Sequence, residues 1–231
     1  MIDSMEKGYK VNGHVVQFVD VMCGDAWKKK GYHGPVICNY ADGSEYQGEW
    51  QDGKRHGIGT YISPTGTRYE GEWENDGASG HGVCHYADGM KYDGQFESGE
   101  RHGKGVLISP EGDRYEGQWR NRRHHGEGTL TFESGYKISG EWRFGSLTSG
   151  SATWPNGNKY EGEFKDWNWH GQGKFSIPDG HHIIGEFKEQ KPWETIEYDK
   201  NGVIVGKIVN GVKTIENSHQ ITPKLEVDAP N

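Results

Sequence analysis

The chain has 231 residues, only 31% of them hydrophobic, but it carries 37 glycines, 12 tyrosines and 9 tryptophans. The formal charge of −8 gives no overall electrostatic drive toward nucleic acid, and no nucleic-acid partner is expected. With its apolar bulk in rings and not in Leu or Ile, the chain is not expected to build a conventional closed core.

In chain order, residues 1–33 are predicted to form an N-terminal cap in which Trp27 and His33-Gly34 end a degenerate first repeat. Seven tandem repeats follow over residues 34–187. Their clock is Gly43, Gly66, Gly89, Gly112, Gly135, Gly157 and Gly180, spaced 23, 23, 23, 23, 22 and 23 residues apart, with Gly202 after another 22. Each glycine precedes a phrase such as Tyr46-Gln47-Gly48-Glu49-Trp50, in which Tyr, Gly and Trp alternate onto one face of a strand and Glu45, Gln47 and Glu49 onto the other. Gln51-Asp52-Gly53-Lys54-Arg55 is a turn signal, and His56-Gly57-Ile58-Gly59-Thr60-Tyr61 reads as a second strand, with Gly57 and Gly59 on one face. Ser63-Pro64-Thr65-Gly66 then turns the chain into the next unit.

The pattern predicts an all-β fold, an elongated, twisted, single-layer antiparallel sheet of tandem 23-residue β-hairpins with a stacked repeat core. The fifth repeat departs from it. Ile138 replaces the Tyr, and Thr148-Ser149-Gly150-Ser151-Ala152-Thr153 lacks the His-Gly pair and is one residue short, so a bend is expected there. The sixth repeat places Trp167-Asn168-Trp169 in a turn, predicting two exposed rings. Residues 188–216 read as a degenerate capping hairpin and 217–231 as a flexible tail.

Three cysteines, an odd number, argue against a secreted disulfide framework and suit a reducing compartment. Cys38 and Cys84 share a repeat position two units apart, roughly 19 Å at ~4.8 Å per strand, too far to bond. No signal-like apolar run opens the chain, so a cytoplasmic or peripheral location is expected. His33, His56, His102, His125 and His170 form a column, but equivalent positions stand ~10 Å apart by strand spacing, so no metal site is assigned. Glu49, Glu72, Glu141, Glu163 and Glu186 form a row read as a solvated face, with no converging acid pair for catalysis. No nucleophile elbow, phosphate loop or HExxH helix is present, and no enzyme or cofactor is predicted.

Two surfaces remain as candidates. The rings of Tyr46, Trp50, Tyr69, Trp73, Tyr92, Phe96, Tyr115, Trp119, Tyr160 and Phe164 are predicted to line a groove for a helix or extended peptide of a partner protein. Lys54, Arg55, Arg101, Arg122 and Arg123 are predicted to line a basic edge of turns that meets anionic lipid or an acidic partner.

The Tyr-x-Gly-x-Trp/Phe phrase followed by His-Gly-x-Gly on a 23-residue period resembles the MORN repeat (membrane occupation and recognition nexus) from about Gly34 to Phe187. The resemblance implies a non-enzymatic scaffold or adaptor at cytoskeletal or membrane-associated structures, cilia among them, and some similar proteins pair as homodimers. The alternatives it leaves are a phospholipid-binding module, or the regulatory part of a larger enzyme, since such repeats occur beside lipid-kinase and SET methyltransferase domains.

Overall fold

The computed structural model describes residues 8–11, 14–17, 19–22 and 33–216, all of whose regular elements are strands. Trp27 of the expected cap and the tail from 217 onward lie outside the described residues. The chain divides into two compact units, Met1–Glu133 and Ser134–Asn231.

In the first unit β1 (Gly8–Val11) and β2 (His14–Gln17) form an antiparallel pair. β3 (Val19–Met22) runs parallel to β4 (His33–Asn39), an arrangement the sequence did not announce. From β4 the chain is an antiparallel meander: β5 (Glu45–Gln51), β6 (Lys54–Ile62), β7 (Arg68–Glu74), β8 (Gly77–His85), β9 (Lys91–Glu97), β10 (Glu100–Ile108), β11 (Arg114–Arg120) and β12 (Arg123–Thr131). The second unit continues in the same style with β13 (Lys137–Arg143), β14 (Ser146–Thr153), β15 (Lys159–Lys165), β16 (Asn168–Ser176), β17 (His182–Lys188), β18 (Lys191–Tyr198), β19 (Ile204–Val209) and β20 (Val212–Glu216), each paired antiparallel with the next.

The clock glycines have a local cause. Gly66 sits at φ 93°, a left-handed conformation that costs glycine little, and this lets its N–H reach the Ser63 carbonyl at 3.0 Å while Ser63 N–H donates to Thr67 at 2.8 Å. The same two-bond frame closes Tyr40–Ser44, Tyr86–Met90 and Ser109–Asp113, and in the second unit Trp154–Asn158, Ile177–His181 and Asp199–Val203.

Each repeat hairpin from β5–β6 to β17–β18 carries a bulge. Gly48 faces Gly59 but Glu49 faces His56, so Gly57 and Ile58 are extra on β6, and Gly57 takes φ 61°. Gly57 therefore turns toward the Glu49 side chain, not onto the face of Gly59 as strict alternation predicted. In the fifth repeat Glu141 faces Ser149 and Trp142 faces Leu147, leaving Thr148 alone as the extra residue. The seventh is also single: Glu186 faces Glu194 and Phe187 faces Pro192. The two 22-residue spacings, from Gly135 to Gly157 and from Gly180 to Gly202, thus mark the two repeats whose bulge is one residue shorter, and both have Ile in place of Tyr.

Candidate functional site

The ten rings predicted to line a groove, eight in the first unit and two in the second, are all buried at 0–8% exposure. In the first unit they cover one another in an edge-to-face chain. Tyr46 meets Trp73 at 5.2 Å, Trp73 meets Tyr69 at 5.2 Å, and the pairs Tyr69–Phe96, Phe96–Tyr92, Tyr92–Trp119 and Trp119–Tyr115 follow at 5.0–5.4 Å. Such contacts add to the area each ring removes from water. In the second unit Tyr160 stacks on Trp169 at 4.6 Å and meets Phe164 and Phe187 edge-on. The rings are the floor of the face, its packing core. The contactable surface falls to half-buried neighbours on the second strands, Tyr61, Leu107 and Leu130, with Tyr86 in the turn beyond β8.

Each floor tyrosine lies over a pair of glycines: a Cβ on Gly48 would stand 2.5 Å from both the Gly59 Cα and the Tyr46 hydroxyl. That hydroxyl donates to the Glu49 carbonyl at 3.0 Å, at the step where the bulge shifts the ladder. Tyr69, Tyr92, Tyr115 and Tyr160 repeat the bond to residue i+3 at 2.8–3.1 Å, and burial raises all four phenol pKa values. From the opposite side Glu72, Gln95 and Glu163 accept the backbone N–H of His81, Lys104 and Gln172. Glu72 and Glu163, two of the carboxylates expected to be merely solvated, thus close their bulges, as Gln95 does in a repeat between them. The tryptophans tie consecutive hairpins: Trp73 Nε1 donates to Gly59 O and Trp119 Nε1 to Gly105 O, each at 3.1 Å.

The residues predicted to line a basic edge take two different environments. Arg55 and Arg101 are strand residues opposite Trp50 and Phe96 and fold over the rings, Arg55 at 4.3 Å from the Trp73 centroid and Arg101 at 4.7 Å from that of Trp119. Lys54, Arg122 and Arg123 are exposed; Arg122 occupies the hairpin tip at φ 65° and pairs with Glu100 at 3.4 Å. His124 stacks on Tyr115 at 3.6 Å, and burial first, then the Arg101 charge, push its pKa down to about 4.

The opposite face carries paired charges such as Arg68–Glu70 and Arg114–Glu116, both at 2.6 Å. Its depression of about 450 Å³ is lined by three carboxylates, Asp93, Glu116 and Glu127, together with Lys104 and His81. Among the described residues no group of three His, Cys, Asp or Glu converges as metal ligands do. Trp167 is 47% exposed at its tip as expected, but Trp169 lies in β16 and is 4% exposed, because strand alternation carries it onto the floor. Cys84 is free and buried, so it is not bonded to Cys38, whereas Cys38 is disulfide-bonded.

A family model of the MORN repeat matches residues 46–68, 69–91, 92–114, 115–135 and 160–182. It passes over the Ile138 and Ile183 hairpins, both of which have the shorter bulge. Comparison with curated proteins gives no match. Among solved structures, the G-box domain of the microcephaly protein CPAP is 10% identical, over 80% of this chain and 100% of its own, with a TM-score of 0.49. The SAS-4 (dCPAP) TCP domain of Drosophila melanogaster, in complex with a proline-rich motif of Ana2 (dSTIL), is 13% identical over 74% of this chain and 86% of its own, with a TM-score of 0.42. The wild-type TCP10 domain of Danio rerio CPAP is 12% identical over 82% and 93%, with a TM-score of 0.34.

Proposed function

The chain belongs to the MORN-repeat proteins, and from that premise we propose that it is a non-catalytic scaffold whose aromatic face receives a segment of a partner protein. One observation carries the reading. The floor of packed rings is bordered by half-buried Tyr61, Tyr86, Leu107 and Leu130 and by the ring-stacked cations Arg55 and Arg101, whereas the opposite face carries ion pairs such as Arg68–Glu70 and Arg114–Glu116. Aromatic, aliphatic and arginine side chains on one face are the composition that binding surfaces favour. The ten floor rings then act by setting the shape of that face, and contact comes from its border. The setting, in this reading, is a cytoskeletal or membrane-associated structure.

The test is affinity capture from lysate with the intact chain and with Tyr61→Ser/Leu107→Ser, each verified as folded. Loss of a specific protein with the double variant, and its retention in Ile58→Ser on the opposite face, is the expected result. Capture indifferent to the border residues would overturn the reading. The rival, a lipid-attachment role, rests on exposed Lys54, Arg122 and Arg123; it predicts salt-sensitive binding to anionic vesicles that charge reversal at Arg122 and Arg123 removes.

A further inference from the structure

Arg55 and Arg101 are the same residue of the repeat, 46 positions apart, and so are the hairpin-tip residues Asp76 and Arg122. The backbone frame is identical at both places: Asp76 N–H donates to the Arg55 carbonyl at 3.1 Å, and Arg122 N–H to the Arg101 carbonyl at 3.1 Å. Both guanidinium groups lie over the tryptophan of the next hairpin.

The side chains then diverge. Asp76 Oδ1 accepts from the Arg55 backbone N–H at 2.8 Å and from its Nε at 3.4 Å, and Arg55 Nη2 donates to the Asp76 carbonyl at 2.8 Å. At the second place the carboxylate is replaced by another arginine. Arg101 keeps the longer Nη2 bond to the Arg122 carbonyl, 3.4 Å, and a side-chain hydrogen bond with Tyr86, but its Nε is buried with no acceptor. A buried charged donor without an acceptor is unfavourable, and a like charge on the neighbouring tip adds to this.

Resting on the partner-binding reading of this face, we propose that Arg101 and Arg122 form the seat for a carboxylate of the partner, an Asp or Glu side chain in an acidic peptide segment. The incoming carboxylate takes the place that Asp76 fills in the first site. It bridges two guanidinium groups, whose planar forks suit carboxylates, beside the Trp119 ring. The exposed Arg122–Glu100 contact is of the solvent-screened kind that yields readily to a second acid. His124 adjoins the seat, and Arg101 is among the causes of its depressed pKa; an anion at Arg101 would relieve that repulsion. Internal comparison thus makes the first site a built-in model of the second in its bound form.

The probe is a hexaglutamate peptide, with hexaglutamine as control, titrated into the full chain with isotope-labelled arginine while the Nε–H resonances are followed. A saturable shift of Arg101 with hexaglutamate alone is expected. Arg122→Asp supplies the missing carboxylate in cis: it should weaken the peptide by about tenfold or more, the loss of a charge-assisted contact, and raise Tm. Arg122→Gln should weaken the peptide without raising Tm. An unmoved Arg101 signal, or an equal response in Arg122→Asp, would overturn the proposal. A response to phosphatidylserine vesicles but not to hexaglutamate would also overturn it, by assigning the seat to a membrane surface. If the captured partner is lost with the Tyr61/Leu107 variant yet kept by Arg122→Asp, the function stands and this seat fails; the reverse pattern retains the seat and sinks the function.

Discussion

Thr148 donates its hydroxyl to the Glu141 carbonyl at 3.1 Å, the bond that the floor tyrosines make to the equivalent carbonyl in the longer-bulged repeats. The donor has moved from the first strand to the second, into the place of the column histidine. Ile138 can therefore fill the ring position without leaving that acceptor unpaired.

The hydroxyl is thus separable from the ring. Tyr92→Phe keeps the edge-to-face contacts and removes the donor to Gln95, and should cost about 1 kcal/mol. Thr148→Val should cost a similar amount and Thr148→Ser much less. Urea midpoints of the three variants provide the check.

Gly105 should tolerate no side chain. Its Cβ would enter the Tyr92 ring, and one on Gly94 would stand 2.7 Å from the Lys104 carbonyl. Gly105→Ala is expected to cost about 1–3 kcal/mol by overpacking, measured by thermal unfolding. Ala at Gly99, where nothing lies within 4 Å but φ is 81°, should cost about 1 kcal/mol through backbone strain alone.

Acid should destabilise the fold through His124. Its folded pKa of about 4 lies below the 6.5 of an ordinary histidine, so the unfolded chain takes up the proton first. Above pH 6.5 this costs nothing; stability falls as pH drops from 6.5 to 4 and levels off below. The loss is at most about 3 kcal/mol. A His124→Phe variant should flatten that part of the pH–Tm profile, and an unchanged slope would refute the assignment.

Alkali should act through the floor tyrosines. Their raised phenol pKa values mean that the folded chain resists ionisation while the unfolded chain ionises near pH 10. Stability is whole below that value and is lost as pH rises beyond it. Phenolate absorbance should therefore rise in two stages, the exposed rings first and the buried ones together with unfolding.

The clock glycines, the Tyr-x-Gly-x-Trp phrase and the alternation of Gln47 and Glu49 were enough to read hairpin repeats, a ring-bearing face and a charged face, because φ-permissive turns and a two-residue period are local properties of the chain. The two 22-residue spacings marked a shortened repeat, but that the missing residue comes out of a bulge was shown only by the strand register. What the sequence could not show was how side chains are shared between repeats. Whether Tyr92 is an open platform or a buried floor depends on Phe96 and Trp119 lying against it. Arg55 differs from Arg101 because a residue 21 positions further on returns over it, a carboxylate in one case and an arginine in the other. Strand pairing brings those tips together across space, and burial, partner and charge are decided only there.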